Sequence, residues 1–368
     1  MLVQSAFNIT FLLFSYPAGL ILEKKGYKYT LLLGLFTYSI GCFGICPAVM
    51  LGSYTVALLA VFILGIGFVL QMVAGNPFLA FLGPPQTASS RVTLGQAFTA
   101  VGQTLSPFIA STYILSVAAD NPSSMGSRII VVHVTFAITL VVLLAVVWQL
   151  RTPVTTAATE VRKYEDGLEP WHYKQLVFGV LGVFLYLGIE ATSVGMFLNF
   201  IAEPRVANVP ASRGGFYLTL YFVGFTSARF AGAAIQRKIR PNRLLMVHGL
   251  INIALISGVM LLHGMPVVWC LIFTAVFNSI MFPAMFSLGI SGLGKLEARA
   301  SGILFMALSG GAVVPLVQGA VADRWGTQLS FIVTMCCYAY ILFFAAKGYK
   351  PGLFKVKSNS LAMNQPAL

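Results

Sequence analysis

The chain has 368 residues, of which 58% are hydrophobic and 9% are charged. A soluble domain carries roughly 25% charged residues, and a soluble protein this apolar would aggregate through exposed apolar patches. The apolar residues fall in runs of about twenty, the length that crosses a hydrocarbon core of about 30 Å. Because an open strand cannot satisfy its backbone in lipid, these runs predict an all-α polytopic membrane protein.

The formal net charge is +13. Nucleic-acid binding needs basic residues clustered on one folded face. Here they flank the apolar runs instead, which excludes that class of partner. The cysteines lie inside apolar runs and lack the spacing of metal ligands, so we expect them to be packing residues and expect neither a metal nor a cofactor.

In chain order, the apolar runs predict about eleven transmembrane helices. They cover 1–22, 29–50, 54–82, 92–117, 129–150, 175–201, 212–236, 243–263, 266–290, 300–321 and 328–346. The longest polar connection, 151–174, divides the chain. We expect an N-terminal bundle of five helices (1–150), a central loop (151–174), a C-terminal bundle of six helices (175–346) and a tail (347–368).

The 23 Lys and Arg residues are sorted unevenly among the loops. One set of alternate loops and the tail hold 18 of them, the opposite loops hold 4, and Arg229 lies inside a predicted helix. The positive-inside rule then makes 151–174 and the tail cytoplasmic. An odd number of helices puts Met1 outside, whereas a six-plus-six carrier begins inside. We therefore expect that the first helix is missing from the front of the chain.

The first polar connection carries the string Gly19-x-x-x-Glu23-Lys24-x-Gly26-x-Lys28. It places a carboxylate and cations at the cytoplasmic end of a helix, beside a glycine suited to a turn. These charges predict a cytoplasmic gate whose ion pairs form on closing and break on opening.

Repetition and helix interruptions follow further along the chain. A degenerate echo of the motif, Gly232-x-x-x-Gln236, agrees with a fold built from repeats. Asn76-Pro77 and Asn278-Ser279, the latter followed by Pro283, are expected to interrupt their helices. Broken helices are used near the binding site by transporters that rock.

Gln96, Thr99 and Gln103 recur at offsets of three and four, so they share one face of the predicted helix 92–117. A polar face of a membrane helix must contact protein or a water-filled cavity. Amides and hydroxyls suit sugar hydroxyls, but hydrogen bonding between helices is an equal alternative for this stripe.

Other predicted helices carry further polar candidates for substrate contact: Gln71, Asn76, Asn199, Tyr217 and Asn278. Taken singly, each fits hydrogen bonding between helices. Their spread over separate helices favours a central cavity.

Glu190 is the carboxylate that lies deep in a predicted helix. A carboxylate at this depth is costly unless it is neutralised, hydrated or paired, which makes it a candidate for proton coupling or substrate contact. The alternative is a hydrogen bond to a neighbouring helix.

Several strings resemble the major facilitator superfamily, and within it the fucose:proton symporter and glucose/galactose permease family. They are QSAFNITFLLFSYPAGLILEKKGYK, NPFLAFLGPP, FLYLGIEATSVGMFLNFI, FNSIMFPAMFSLGISGLGK and GGAVVPLVQGAVADRWG, and they cover essentially the whole chain. The GPP string and the central loop EVRKYEDG look most like fungal members.

The resemblance implies two six-helix bundles around a central sugar site and cation-coupled uptake. Gln96 matches a substrate-contacting amide of the family, and Thr99 stands where asparagine is usual. Met72 stands where the bacterial fucose carriers have a glutamate, and their other coupling carboxylate lies in the first helix, which this chain lacks. Glu190 matches a glutamate of the glucose/galactose members, so proton coupling is assigned to it.

We expect a monomeric secondary active transporter of the plasma membrane that carries a fucose-, glucose- or galactose-type monosaccharide by alternating access, coupled to protons. The alternative is a non-transporting sensor or a truncated remnant with the same fold. An enzyme is not expected, since the histidines have no carboxylate at motif spacing.

Overall fold

The computed structural model describes residues 2–115, 122–150 and 168–354. The described residues are almost entirely helical, with one isolated antiparallel bridge between Tyr173 and Leu353. The helices are α1 Leu2–Met50, α2 Tyr54–Phe81, α3 Ala88–Ile109, α4 Pro122–Gln149, α5 Lys174–Ala202, α6 Ala211–Ile235, α7 Pro241–Leu261, α8 Met265–Asn278, α9 Met281–Ile290, α10 Glu297–Met306, α11 Gly310–Trp325 and α12 Phe331–Phe343. The all-α prediction is confirmed for these residues.

We call residues 2–150 the N-terminal half and residues 168–354 the C-terminal half. Nine stretches of the described residues are long and apolar enough to cross a membrane. The first two predicted helices fall in one of them, Ile9–Met50, and the predicted helix 92–117 is not among them. The count of eleven helices and the division at 151–174 therefore stay predictions.

Gly26 interrupts α1 at the point where the sequence motif predicts a turn. Its backbone angles are φ 80° and ψ 174°, a conformation that glycine adopts without steric cost. α1 therefore consists of two helical segments, one on each side of Gly26. The two segments pack on α2, and the first also packs on α10.

Small residues allow the helices to approach closely, as is usual in membrane bundles. A Cβ atom on Gly67 of α2 would collide with the backbone of Tyr38 in α1. In the first segment of α1, a Cβ atom on Gly19 would lie 2.8 Å from the carbonyl oxygen of Ala298. The second contact joins the N-terminal half to the C-terminal half.

Two prolines free backbone carbonyls inside the bundle, because proline has no N–H to donate to the residue four positions earlier. Pro77 frees the carbonyl of Val73, which accepts a hydrogen bond from Ser301 Oγ at 2.9 Å. Pro283 frees the carbonyl of Ser279, in the interruption between α8 and α9. The predicted interruption at Asn278-Ser279 is present between α8 and α9, whereas the one predicted at Asn76-Pro77 is not, because α2 runs through Pro77 without a break. At both prolines a side chain of another helix bonds to the freed carbonyl.

One end of the molecule gathers the loops that are rich in Lys and Arg, and we call it the basic face. Lys28 Nζ donates to the carbonyls of Trp148 and Leu150 at 2.7 and 2.8 Å. The Lys174 N–H donates to the Gly352 carbonyl at 2.8 Å. Residues of the segments 80–89, 236–241 and 287–297 line a common cavity at this end.

Candidate functional site

Asn76 and Gln96 form a buried amide pair in the N-terminal half. Gln96 Nε2 donates to Asn76 Oδ1 at 2.8 Å, and Asn76 Nδ2 donates to the Met72 carbonyl at 2.9 Å. The exposed fractions of Asn76 and Gln96 are 3% and 8%. The structure therefore brings together two of the predicted substrate residues, from α2 and α3.

Arg229 of α6 lies next to this pair and is the charged residue that the described part of the chain buries, with 4% exposure. Its Nη1 donates to the Gln96 carbonyl at 3.0 Å, and its Nε donates to the Ser279 carbonyl at 3.0 Å. Its guanidinium lies 4.3 Å from the centre of the Phe225 ring, a favourable cation–π distance. Arg229 thus joins the N-terminal half to the broken helix α8–α9.

The interruption between α8 and α9 is a hub of hydrogen bonds to its backbone. The carbonyl of Phe277 contacts His248 Nδ1 at 2.9 Å, and the carbonyl of Asn278 accepts from the Tyr186 hydroxyl at 3.1 Å. With Arg229 on the next carbonyl, three side chains from α5, α6 and α7 satisfy three successive carbonyls that the helix cannot.

The side chain of Asn278 is fully buried within this hub. Its Oδ1 accepts from Asn252 Nδ2 at 2.9 Å and from the Tyr338 hydroxyl at 2.7 Å. Asn278 Nδ2, Asn252 Oδ1 and the Tyr221 hydroxyl have no hydrogen-bond partner among the described residues. Buried polar atoms normally have partners, so the Asn278 amide has an unused donor, Asn252 an unused acceptor, and the Tyr221 hydroxyl an unused donor and acceptor.

Glu190 is half-buried on α5, one turn beyond Tyr186. It is close enough to interact electrostatically with Tyr186, Tyr221 and Tyr338. Arg229 also interacts electrostatically with Tyr186. The predicted coupling carboxylate and the buried guanidinium thus both interact with the same tyrosine.

The remaining substrate candidates lie apart from this cluster or donate their hydrogen bonds to backbone carbonyls elsewhere. Gln71 Nε2 donates to the Leu31 carbonyl of α1 at 2.7 Å, and Thr99 Oγ1 donates to the Gly95 carbonyl of its own helix at 3.4 Å. Gln103 and Asn199 are exposed, and Tyr217 is half-buried. Only part of the polar stripe on α3 therefore adjoins Asn76 and Arg229.

The gating motif lies at the basic face and crosses between the halves. Glu23 Oε2 accepts from Arg299 Nε, and Arg299 Nη1 also pairs with Glu169 at 3.2 Å. Lys24 is exposed, and Lys28 binds the carboxyl end of α4 as described above. The glutamate of the motif thus has a cation of the other half as its partner.

The echo of the motif makes an equivalent contact. Gln236 stands where the motif has its carboxylate, and its Oε1 accepts from Ser89 and Thr93 of α3, each at 2.8 Å. Nearby, Ser90 Oγ donates to the Ala233 carbonyl at 2.5 Å. Two related motif positions therefore hold the halves together at the basic face.

Arg229, Arg299 and Tyr186 were not candidates in the sequence analysis. The sequence did contain a signal for Arg229, since it was the basic residue left inside a predicted helix. It contained none for Arg299, which ends a loop like any other basic residue. The pairing of Arg299 with Glu23 depends on the approach of α10 to α1.

The described helices form two halves joined by polar contacts, with a carboxylate and a cation at the junction. This is the architecture of a solute carrier. A model of the Major Facilitator Superfamily matches residues 1–315. The chain therefore belongs to the Major Facilitator Superfamily. Its membership confirms that it is an integral membrane protein and not an enzyme.

Known relatives and structures agree with this assignment. The glucose/galactose transporter of Brucella abortus biovar 1 (strain 9-941) is 36% identical over 360 residues, which are 95% of this chain and 85% of that protein. The L-fucose-proton symporter of Escherichia coli (strain K12) is 26% identical over 369 residues, 94% of this chain and 83% of that protein. The crystal structure of the transporter FucP in the outward conformation matches with a TM-score of 0.83 at 26% identity, covering 94% of this chain and 89% of that one.

Proposed function

We propose that this chain is a secondary active transporter that carries a monosaccharide of the fucose, glucose or galactose type by alternating access, coupled to protons. The observation that supports this best is the continuous contact from Asn76 and Gln96, through Arg229, to the broken helix and Tyr186 beside Glu190. Relatives named as sugar carriers support the substrate class.

The amides and hydroxyls of the site suit the chemistry of a sugar. Each sugar hydroxyl both donates and accepts, and so does each side-chain amide. Asn76 and Gln96 offer amides from the N-terminal half, and Asn278 offers an unpartnered Nδ2 from the C-terminal half. A sugar bound between the halves exchanges these internal contacts for its own, so its binding energy depends on how the halves are arranged.

The gate residues account for the arrangement of the halves in which the basic face is closed. The halves contact each other at the basic face through Glu23 with Arg299 and through Gln236 with Ser89, so this face is closed. Opening it separates these partners and requires each to be hydrated instead. The Glu23–Arg299 pair is partly exposed, so its loss costs little, about 0–1 kcal/mol. The gate can therefore open and close repeatedly.

Replacing Glu190 with glutamine tests the proton coupling. Glutamine keeps the shape and hydrogen bonding of a protonated carboxyl but cannot release a proton. Glu190→Gln should abolish accumulation of labelled galactose in proteoliposomes under an imposed proton gradient. It should leave exchange of labelled for unlabelled galactose, which needs no net proton movement.

Asp323→Asn is the matched control, because Asp323 is an exposed acid outside the site. It should accumulate sugar like the unmodified chain. Gradient-driven accumulation that persists in Glu190→Gln would reject the coupling role. Absence of exchange in the unmodified chain, with glucose, galactose and fucose alike, would instead favour a non-transporting sensor.

The proposal also covers the orientation of the chain in the membrane, its oligomeric state and its first helix. Basic loops on one face support a cytoplasmic central loop and tail in the plasma membrane, and we take the chain to act as a monomer. The fungal-type assignment and a twelfth helix ahead of Leu2 stay predictions. The transcript upstream of Met1 tests the helix, which should appear as about 20 apolar residues.

A further inference from the structure

A cavity of about 930 Å³ opens at the basic face, apart from Glu190 and Arg229. Its walls come from both halves: residues of 80–89 from the N-terminal half, and of 236–241 and 287–297 from the C-terminal half. Ligand sites typically measure about 300–1,000 Å³, so the cavity can hold a small solute. The sugar-transport proposal assigns no role to it.

The charged side chains that line the cavity are mostly cations. Arg237, Lys238 and Arg240 all line it and are exposed, and Glu297 is the lining residue of opposite sign. None of the three cations forms an ion pair with any described residue. The lining therefore has a surplus of positive charge that no carboxylate of the described segments neutralises.

A buried amide in the same wall has an unused donor. Gln236 is 1% exposed and lines the cavity. Two hydroxyls, of Ser89 and Thr93, occupy its Oε1, whereas its Nε2 has no hydrogen-bond partner among the described residues. Leaving a buried donor without an acceptor costs free energy. An acceptor in the cavity would remove this cost.

The N-terminal wall of the cavity is held firmly in place. Arg91 Nε donates to the Leu79 carbonyl at 2.9 Å, and its Nη2 donates to the Gly83 carbonyl at 3.1 Å. Its Nη1 donates to Thr87 Oγ1 at 2.6 Å. These bonds satisfy the last carbonyls of α2 and fix the 82–88 loop, so the wall is formed before any ligand arrives.

We propose that this cavity binds a phosphate-bearing anion, held by Arg237, Lys238 and Arg240 and by a hydrogen bond from Gln236. Arginine binds phosphate through paired N–H groups, and lysine binds it as a point charge. Phosphate oxygens are the acceptors that both the cations and the free amide donor require.

Binding here also acts on the transport cycle, a consequence that rests on the proposed function. Because both halves line the cavity, it exists only while the basic face is closed. A ligand that binds only this arrangement stabilises it. Phosphate on the side of the basic face therefore slows transport by holding that face closed.

Binding of inorganic phosphate to the purified full chain in nanodiscs tests the site without any transport. Calorimetric titration should show saturable binding that weakens with added salt. Replacing the three lining cations together, as Arg237→Gln, Lys238→Gln and Arg240→Gln, should weaken it by about tenfold or more.

The matched control removes the same charge elsewhere on the chain, as Lys25→Gln, Lys347→Gln and Lys350→Gln, three exposed positions outside the cavity. This variant should bind phosphate like the unmodified chain. Failure of the unmodified chain to bind phosphate, or an equal loss in both triple variants, overturns the proposal.

Two lipid compositions separate the sources of the phosphate group. Phosphate binding that is equal in phosphatidylcholine discs and in discs with added phosphatidic acid assigns the cavity to a soluble phosphate. Weaker phosphate binding in the phosphatidic acid discs assigns the cavity to a lipid headgroup. In that case the cavity triple variant should bind phosphate equally in the two kinds of disc. Inhibition of galactose exchange by phosphate is measured separately, so a chain that does not transport still reports binding.

Discussion

Gln71 and Asn76 lie five positions apart on α2, yet they contact different helices. Gln71 donates to the Leu31 carbonyl of α1, whereas Asn76 accepts from Gln96 of α3. Five positions are about 500° around a helix, or about 140° from the starting face. The two amides therefore differ in role: Gln71 holds α1 and α2 together, and Asn76 belongs to the candidate sugar site.

Alanine substitutions should separate these two roles. Gln96→Ala removes a hydrogen-bonding group from the sugar site and should weaken galactose binding by roughly 1–3 kcal/mol, about 5- to 150-fold in Kd. Gln71→Ala should instead lower the melting temperature and leave the Kd unchanged, because its partner is a backbone carbonyl of α1. Calorimetry and thermal unfolding measure both. Unchanged affinity together with lower stability in Gln96→Ala would make Gln96 a structural residue.

At the level of helices, the broken segment α8–α9 explains why a charged side chain is buried at all. Pro283 leaves the Ser279 carbonyl without its helical donor, and Arg229 supplies one while also binding the Gln96 carbonyl. A guanidinium is planar and has several donors in a fixed arrangement. It can therefore join carbonyls of two different helices, and in doing so it connects the two halves.

Lysine in place of Arg229 should retain the charge but lose one of these bonds. An ammonium is a single point of charge and does not present the same fork of donors. An unsatisfied buried carbonyl costs about 1–3 kcal/mol. We therefore expect Arg229→Lys to reduce the maximal rate of galactose uptake by about tenfold with a smaller change in KM.

Arg213→Lys, at an exposed position of the same helix, should transport at the normal rate and serves as the control. Both variants are compared at equal amounts of monodisperse protein in the vesicles. Full activity of Arg229→Lys would show that joining the halves at this point does not matter for transport.

Much of this arrangement could be predicted from the sequence, because it depends on local chemistry. Apolar runs predict helices, Gly26 marks the break inside α1, and Pro283 closely follows the break between α8 and α9. The partners could not be predicted. Gln96 and Arg229 are 133 positions apart, and Glu23 and Arg299 are 276 apart. Such pairs depend on how whole helices pack, for which a single sequence contains no spacing rule.

For the whole molecule, the contacts between the halves extend from the basic face into the middle of the bundle. They begin with Glu23 and Arg299, continue with Ser90 and the Ala233 carbonyl, and reach Thr104, whose hydroxyl lies 2.9 Å from that of Thr226. Thr226 is nine residues before the end of α6, about 14 Å at 1.5 Å per residue. Opening the basic face must break the outer contacts of this series.

A disulfide across the outer contacts should therefore stop transport. Ser90→Cys with Ala233→Cys places two thiols where Ser90 Oγ now reaches the Ala233 carbonyl. In a background with the native cysteines replaced by alanine, oxidation should reduce galactose exchange to the level of empty vesicles, and a reducing agent should restore it. Each single cysteine variant, oxidised in the same way, should remain active. Full exchange by a completely cross-linked protein would show that the contact between Ser90 and Ala233 does not open during transport.

The carbonyls freed by Pro77 and Pro283 also have a consequence for how the sequence can change over time. Each proline creates an acceptor that only its partner side chain, Ser301 or Arg229, satisfies. If Pro283 mutates to a residue with an N–H, the helix can bond to itself, and Arg229 loses its Ser279 acceptor and keeps only its bond to the Gln96 carbonyl and its contact with Phe225. If Arg229 is lost first, the carbonyl is left unsatisfied. The members of each pair should therefore be gained and lost together among homologues, although 54 and 224 positions separate them along the chain.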